Sequence, residues 1–261
     1  MTSNQSLKTR NVKKMRIEIN KIVVAVVIAM STLTAHAEDK GSSGLSTGKH
    51  LFILSGQSNM ERLDPHISFI PAVEKEFGKD NVIVVKSAQG GQPIRRWCKE
   101  WKDAKGNKPQ KGLGDLYDKL MGVVNEGIKG QTIATVTFVW MQGERDAKER
   151  HGEVYEASFK GLIGQLKEDL KKDENNFVIG RLSDYDMQDR KCKHWTMIRK
   201  IQVKLAEDDP KGEWVDNDDL NEKGSEGTRA GLHYTNDGYK ILGERFAEKA
   251  IALVKKNVAS K

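Results

Sequence analysis

Leu51-Phe52-Ile53-Leu54-Ser55-Gly56-Gln57-Ser58-Asn59-Met60 reads as a buried strand running into a sharp turn. An unbroken apolar run fits a strand covered on both faces, the pattern of a parallel sheet. A serine at the turn where such a strand ends has its hydroxyl held out of the sheet. The neighbouring backbone N–H groups are then free to face a developing anion. Far downstream, Gly231-Leu232-His233-Tyr234 puts a histidine just ahead of the last helical segment, where it can fold back as a base. Taken alone the turn decides little, because the same residue types make ordinary turns and helix caps.

The rest of the chain supplies the context. Residues 51–54, 82–85, 133–139 and 177–179 read as buried strands, with 214–215 as a short fifth. Residues 115–128, 154–170, 195–205 and 239–254 read as amphipathic helices. In the last of these Tyr239, Leu242, Phe246, Ile251 and Val254 fall largely on one face. Strand alternating with helix predicts a parallel sheet covered on both sides, a three-layer α/β/α sandwich. Such sheets bind ligands beyond the carboxyl ends of their strands. Ser58 follows the first strand, and Ser87-Ala88-Gln89-Gly90-Gly91-Gln92-Pro93-Ile94-Arg95 follows the second. Met141-Gln142-Gly143-Glu144-Arg145-Asp146 follows the third, and His233 lies after the fifth. Four separated stretches thus converge on one edge of the sheet.

Residues 1–37 read as processing information. Lys13, Lys14, Arg16 and Lys21 flank an apolar run from Ile22 to Met30, and Ala35-His36-Ala37 is a small-x-small cleavage site. This is the order of a signal peptide cut after Ala37, and the run is too short for a membrane span. The expectation is a periplasmic or secreted protein with a linker at 38–48, a domain at 49–261 and no membrane span in the mature chain. Removing the net +5 of residues 1–37 (six Lys/Arg against Glu18) leaves +2 of the chain's +7. Lys102, Lys105, Lys108 and Lys111 then read as a solvated loop, and nucleic acid is not expected as a partner. Cys98 and Cys192 could pair or stay as thiols. With no Cys/His cluster at ligand spacing, neither a metal nor another cofactor is expected. Nothing in the sequence speaks to the oligomeric state.

Together these blocks resemble the SGNH hydrolases, and more closely their sialate O-acetylesterase-like branch of carbohydrate esterases. The likeness rests on Gly56-Gln57-Ser58-Asn59-Met60, Gly90-Gly91-Gln92-Pro93-Ile94, Trp140-Met141-Gln142-Gly143-Glu144-Arg145-Asp146 and Gly231-Leu232-His233-Tyr234. The run Val215-Asp216-Asn217-Asp218-Asp219-Leu220 also looks like this branch. The resemblance implies a flavodoxin-like parallel sheet, Ser58 as nucleophile and His233 as base. It implies an oxyanion hole from the N–H groups of Ser58 and Gly91, with Gly90 as the rival, and from the side-chain amide of Gln142. It also implies an acetylated carbohydrate, polysaccharide or sialic acid, as substrate.

One position departs from the pattern. This branch usually carries an aspartate three residues before the histidine, and here Ala230 stands there. Either a backbone carbonyl holds His233, or Glu226, Asp216 or Glu144 reaches it, or the chain is a weak or silent carbohydrate-binding relative. Arg95 and Trp97 are the candidate sugar contacts, with Arg96 and Trp101 beside them. The competing reading tucks one or two of those rings into the core.

Overall fold

Three neighbouring parallel strands finish level with one another, and that alignment sets the position of every loop discussed below. The computed structural model describes residues 48–221 and 231–259. Residues 1–47, which hold the expected leader and nearly all of the linker, lie outside them, as does the segment 222–230. The strands are β1 (Lys49–Gly56), β2 (Val82–Ala88), β3 (Ile133–Met141), β4 (Asn175–Gly180) and β5 (Gly212–Val215). They form one sheet in the order β2-β1-β3-β4-β5, every pair parallel. The chain steps from β1 to the edge strand β2 and then crosses back over β1 to β3. That reversal creates the crevice where doubly wound sheets bind ligands. Gly56 is paired with Ala88 on one side and Met141 on the other.

The helices are α1 (Ser58–Arg62), α2 (Phe69–Phe77), α3 (Asp115–Gly127), α4 (Glu144–Glu149), α5 (Gly152–Leu170), α6 (Trp195–Glu207) and α7 (Asn236–Ala259). Side chains alternate across a strand, and β1 divides its run accordingly. Leu51 and Ile53 pack with Leu120 of α3, Phe159 of α5 and Ile198 of α6. Phe52 and Leu54 pack with Phe69 and Val73 of α2 and with Leu242 and Phe246 of α7. Two cores on opposite faces make the three layers that the sequence predicts. Each fully buried Leu or Phe contributes about 1.5–3 kcal/mol, so this double burial carries most of the fold's stability.

Strand bounds exceed the apolar runs because polar residues such as Ser55 and Lys86 also sit in the ladder. Helix α2 was not foreseen from sequence. Pro71 lies in it, but in the first turn, where the N–H that proline lacks has no intrahelical partner anyway.

Gly56 is what lets β1 leave the sheet beside β3. Its φ is +145°, and a Cβ there would come within 2.0 Å of the Met141 carbonyl oxygen. The next residue, Gln57, donates its N–H to that same oxygen at 2.9 Å. A Gly56→Ala chain is expected to lose about 4 kcal/mol or more, or not to fold, through strain at a special backbone conformation. Urea unfolding checks this, and a loss under about 1 kcal/mol would contradict the close approach.

Candidate active site

Ser58 is the first residue of α1, held immediately above the end of β1. Its Oγ lies 3.0 Å from Nε2 of His233, 175 residues away in sequence. With the proton on Nδ1, Nε2 accepts from the serine hydroxyl, which is the arrangement a base needs. Gly90 and Gly91 follow β2. A Cβ on Gly90 would stand 3.5 Å from the Ser58 Cβ, so this loop crosses beside the serine. Gly91 has φ +69° and open space where a Cβ would be. The N–H groups of Ser58, Gly90 and Gly91 have no acceptor among the described residues.

Ser58, His233, Gly90 and Gly91 line one cleft of about 430 Å³. Arg62, Arg145, Lys148 and Lys191 stand around it with Glu61 and Glu144, and Cys192 and Tyr185 complete a wall. Those last two come from the segment after β4. The rule that ligands sit beyond strand ends could have flagged that segment, but no motif within it did. Burial holds the His233 imidazole below its ordinary range, and the Arg62 cation adds to this. His233 therefore stays neutral, and able to accept a proton, into mildly acidic conditions.

Three expected contacts are not brought to the cleft. Gln142 is fully buried, and its Nε2 donates to Asp146 Oδ2 at 2.5 Å and to the Gln92 carbonyl at 3.1 Å. Its two amide hydrogens are thereby committed within the protein. Asp146 Oδ2 also accepts the Ile94 N–H at 2.8 Å, so Gln142 and Asp146 together fasten the loop that carries Gly90 and Gly91. Trp97 is 1% exposed and packs edge-on against Trp140, inside the core rather than at a sugar face. An aromatic ring gains more from full burial in that cluster than from a half-wet surface. Arg95 turns to Glu149 at 2.5 Å and over the Trp101 ring. Cys98 and Cys192 are both buried and free. Ala230 and Glu226 lie outside the described residues, and among those described no carboxylate bonds to the His233 ring.

Glu144 is the residue that sequence reading underused. It is buried at the cleft, with Oε1 accepting from Asn59 Nδ2 at 2.9 Å and Oε2 without a hydrogen-bond partner. Burial pushes its carboxyl up to about 7, with nearby Asp146 adding to the effect. The folded protein therefore binds a proton that the unfolded chain, at its ordinary value near 4.5, releases. The sign follows: stability is fullest below about 4.5 and falls as pH rises through about 7. Glu144→Gln removes this slope, so its stability relative to wild type should rise by a few kcal/mol, to order of magnitude, between pH 5 and pH 8. Thermal unfolding of both proteins across that range tests it, and parallel curves would count against the buried acid.

Residues 60–252, beginning just past Ser58, match the sequence model of the family described as carbohydrate esterase, sialic acid-specific acetylesterase. The fold is similar to that of a protein from Arabidopsis thaliana, at 20% identity over 78% of this chain and 98% of that one, with a TM-score of 0.57. It is also similar to a carbohydrate acetylesterase from Xanthomonas citri, at 18% identity over 80% of this chain and 57% of that one, with a TM-score of 0.59. A carbohydrate acetylesterase family member from Sinorhizobium meliloti matches at 12% identity over 79% and 99%, with a TM-score of 0.51. No curated protein matches the chain. At such identities the structural likeness speaks for the fold, and the family match, which runs from α1 into α7, speaks for the chemistry. The chain belongs to the sialic acid-specific acetylesterase family of carbohydrate esterases and is a carboxylic ester hydrolase.

Proposed function

We propose that the protein is an exported serine esterase that removes O-acetyl groups from a carbohydrate through an acetyl-enzyme on Ser58, with His233 as its base. The observation that carries this reading is the 3.0 Å contact between Ser58 Oγ and His233 Nε2 at the mouth of a cleft. Ser58 Oγ attacks the acetyl carbonyl while Nε2 takes the hydroxyl proton. The carbonyl oxygen becomes an anion facing the N–H groups of Ser58 and of Gly91, with Gly90 adjacent. His233 returns its proton to the departing sugar oxygen, and the acetyl group remains on Ser58. A water molecule then repeats the sequence, giving up its proton to Nε2, and acetate leaves as Ser58 recovers its hydrogen.

Gln142 enters this scheme as the brace of the glycine loop through Gln92 and Asp146. The cations around the cleft are compatible with an acidic sugar such as a sialic acid, and equally with an acetylated polysaccharide. Export rests on the signal-like chemistry of residues 1–37. Among the described residues no helix is long and apolar enough to cross a membrane.

Hydrolysis of an aryl acetate by wild type, Ser58→Ala and His233→Ala is the direct test. Each variant is expected to lose about 10³-fold or more in turnover while melting near wild type. An acetyl adduct on Ser58, trapped by acid quench and located by mass spectrometry, should vanish in Ser58→Ala. Wild-type turnover in Ser58→Ala ends the nucleophile assignment.

The pH profile offers a second test. The acid limb of kcat/KM should lie below pH 6.5, because burial first and Arg62 second disfavour the imidazolium. Replacing Arg62 by Met removes the second influence, so the limb should move to higher pH at low ionic strength and the shift should shrink in salt. Superimposable profiles would show that Arg62 does not act on His233.

A further inference from the structure

His233 faces Ser58, and among the described residues no carboxylate bonds to its ring. The protein fixes the backbone on both sides of it. Asn59 Nδ2 donates to the Leu232 carbonyl at 3.2 Å, which locates the peptide unit preceding His233. The Tyr239 hydroxyl accepts the Tyr234 N–H at 3.4 Å, which locates the peptide unit following it. The same hydroxyl donates to Asn59 Oδ1 at 2.9 Å, so both restraints meet on one amide. The second Nδ2 hydrogen of Asn59 goes to Glu144 Oε1. Reversing that amide would set its oxygen against the Leu232 carbonyl oxygen and against Glu144, so its orientation is determined. Asn59 is 2% exposed and is the residue directly after Ser58.

The surrounding chain is tied in the same way. Asn221 Nδ2 donates to the Gly231 carbonyl at 3.1 Å, and Asn221 forms an antiparallel bridge with Tyr234. Thr235 N–H reaches the Leu220 carbonyl at 3.4 Å.

We infer that Asn59 and Tyr239 are the positioning residues of His233, clamping the two peptide units that flank it to the turn that carries Ser58. This rests on the Ser58–His233 reading above and deepens it. Once both flanking peptide planes are fixed, only the two side-chain torsions of the histidine remain to be set, and the hydroxyl of Ser58 sets them. A clamp of this kind orients the ring without a carboxylate's pull on the imidazolium. A displacement of about 1 Å at such a site can cost 10²-fold in rate, which is the scale on which the clamp acts.

The test is Tyr239→Phe, which deletes one hydroxyl and keeps the ring packed at 5.5 Å from that of Tyr234. Turnover of an aryl acetate should fall roughly 10- to 100-fold, and KM should stay within about twofold. Labelling of Ser58 by a fluorophosphonate should slow by the same factor in the folded protein. Asn59→Ala should do at least as much, and Glu226→Gln should leave turnover near wild type. Ser58→Ala, run alongside, should be inactive and unlabelled, and if it stays active the underlying site reading fails instead. With Ser58→Ala dead, wild-type labelling and turnover in Tyr239→Phe overturn the clamp. So does a rise in KM at unchanged turnover, or a steep loss in Glu226→Gln while Tyr239→Phe stays active.

Discussion

The alignment of β2, β1 and β3, with Gly56 level with Ala88 and Met141, is the constraint on which the rest depends. Parallel strands in register deliver their following loops to the same rim. That is why a serine, a pair of glycines and an acidic helix arrive together from stretches far apart in sequence. The close pass of Gly56 over the Met141 carbonyl fixes the height of Ser58 above that rim. Below it, two cores on opposite faces of the sheet pack the strands that carry the site.

Electrostatics at the rim divide two titratable groups by their surroundings. His233 is kept neutral by burial and by a neighbouring cation, while the Glu144 carboxyl is lifted by burial among apolar and amide groups. Both shifts favour the uncharged form, although one group is a base and the other an acid. The cations Arg145, Lys148 and Lys191 line the same cleft, and Arg145 pairs with Glu149 at 3.2 Å.

Much of this was legible in the sequence because parallel, doubly covered strands have to be written as unbroken apolar runs. Residues 51–54 and 133–139 could hardly be anything else, and their order with the helices fixed the layers. That Ser58 and His233 would meet was legible because few residue types suit a strand-end turn and a proton acceptor facing it. The failures have a common cause, which is that sequence does not say which way a side chain faces. Trp97 beside Arg95 reads as a sugar platform until the ring is found against Trp140 in the core. Gln142 reads as a donor into the cleft until Asp146 and Gln92 are found to take its hydrogens. Asn59 and Glu144 both lay in recognised blocks, but their contact spans 85 positions and leaves no local trace. Helix α2 left no such mark, although Pro71 in its first turn is compatible with a helix.

The two cysteines carry a consequence for how the protein comes to be folded at all. Both sit among packed hydrophobic side chains, unbridged, and burial raises each thiol above its ordinary range. Few of them are thiolate at neutral pH, and the thiolate is the form that exchanges or oxidises. Cohesion comes from the two cores, so no covalent cross-link has to form before the native state is reached. The native state can thus be reached without a disulfide-forming catalyst.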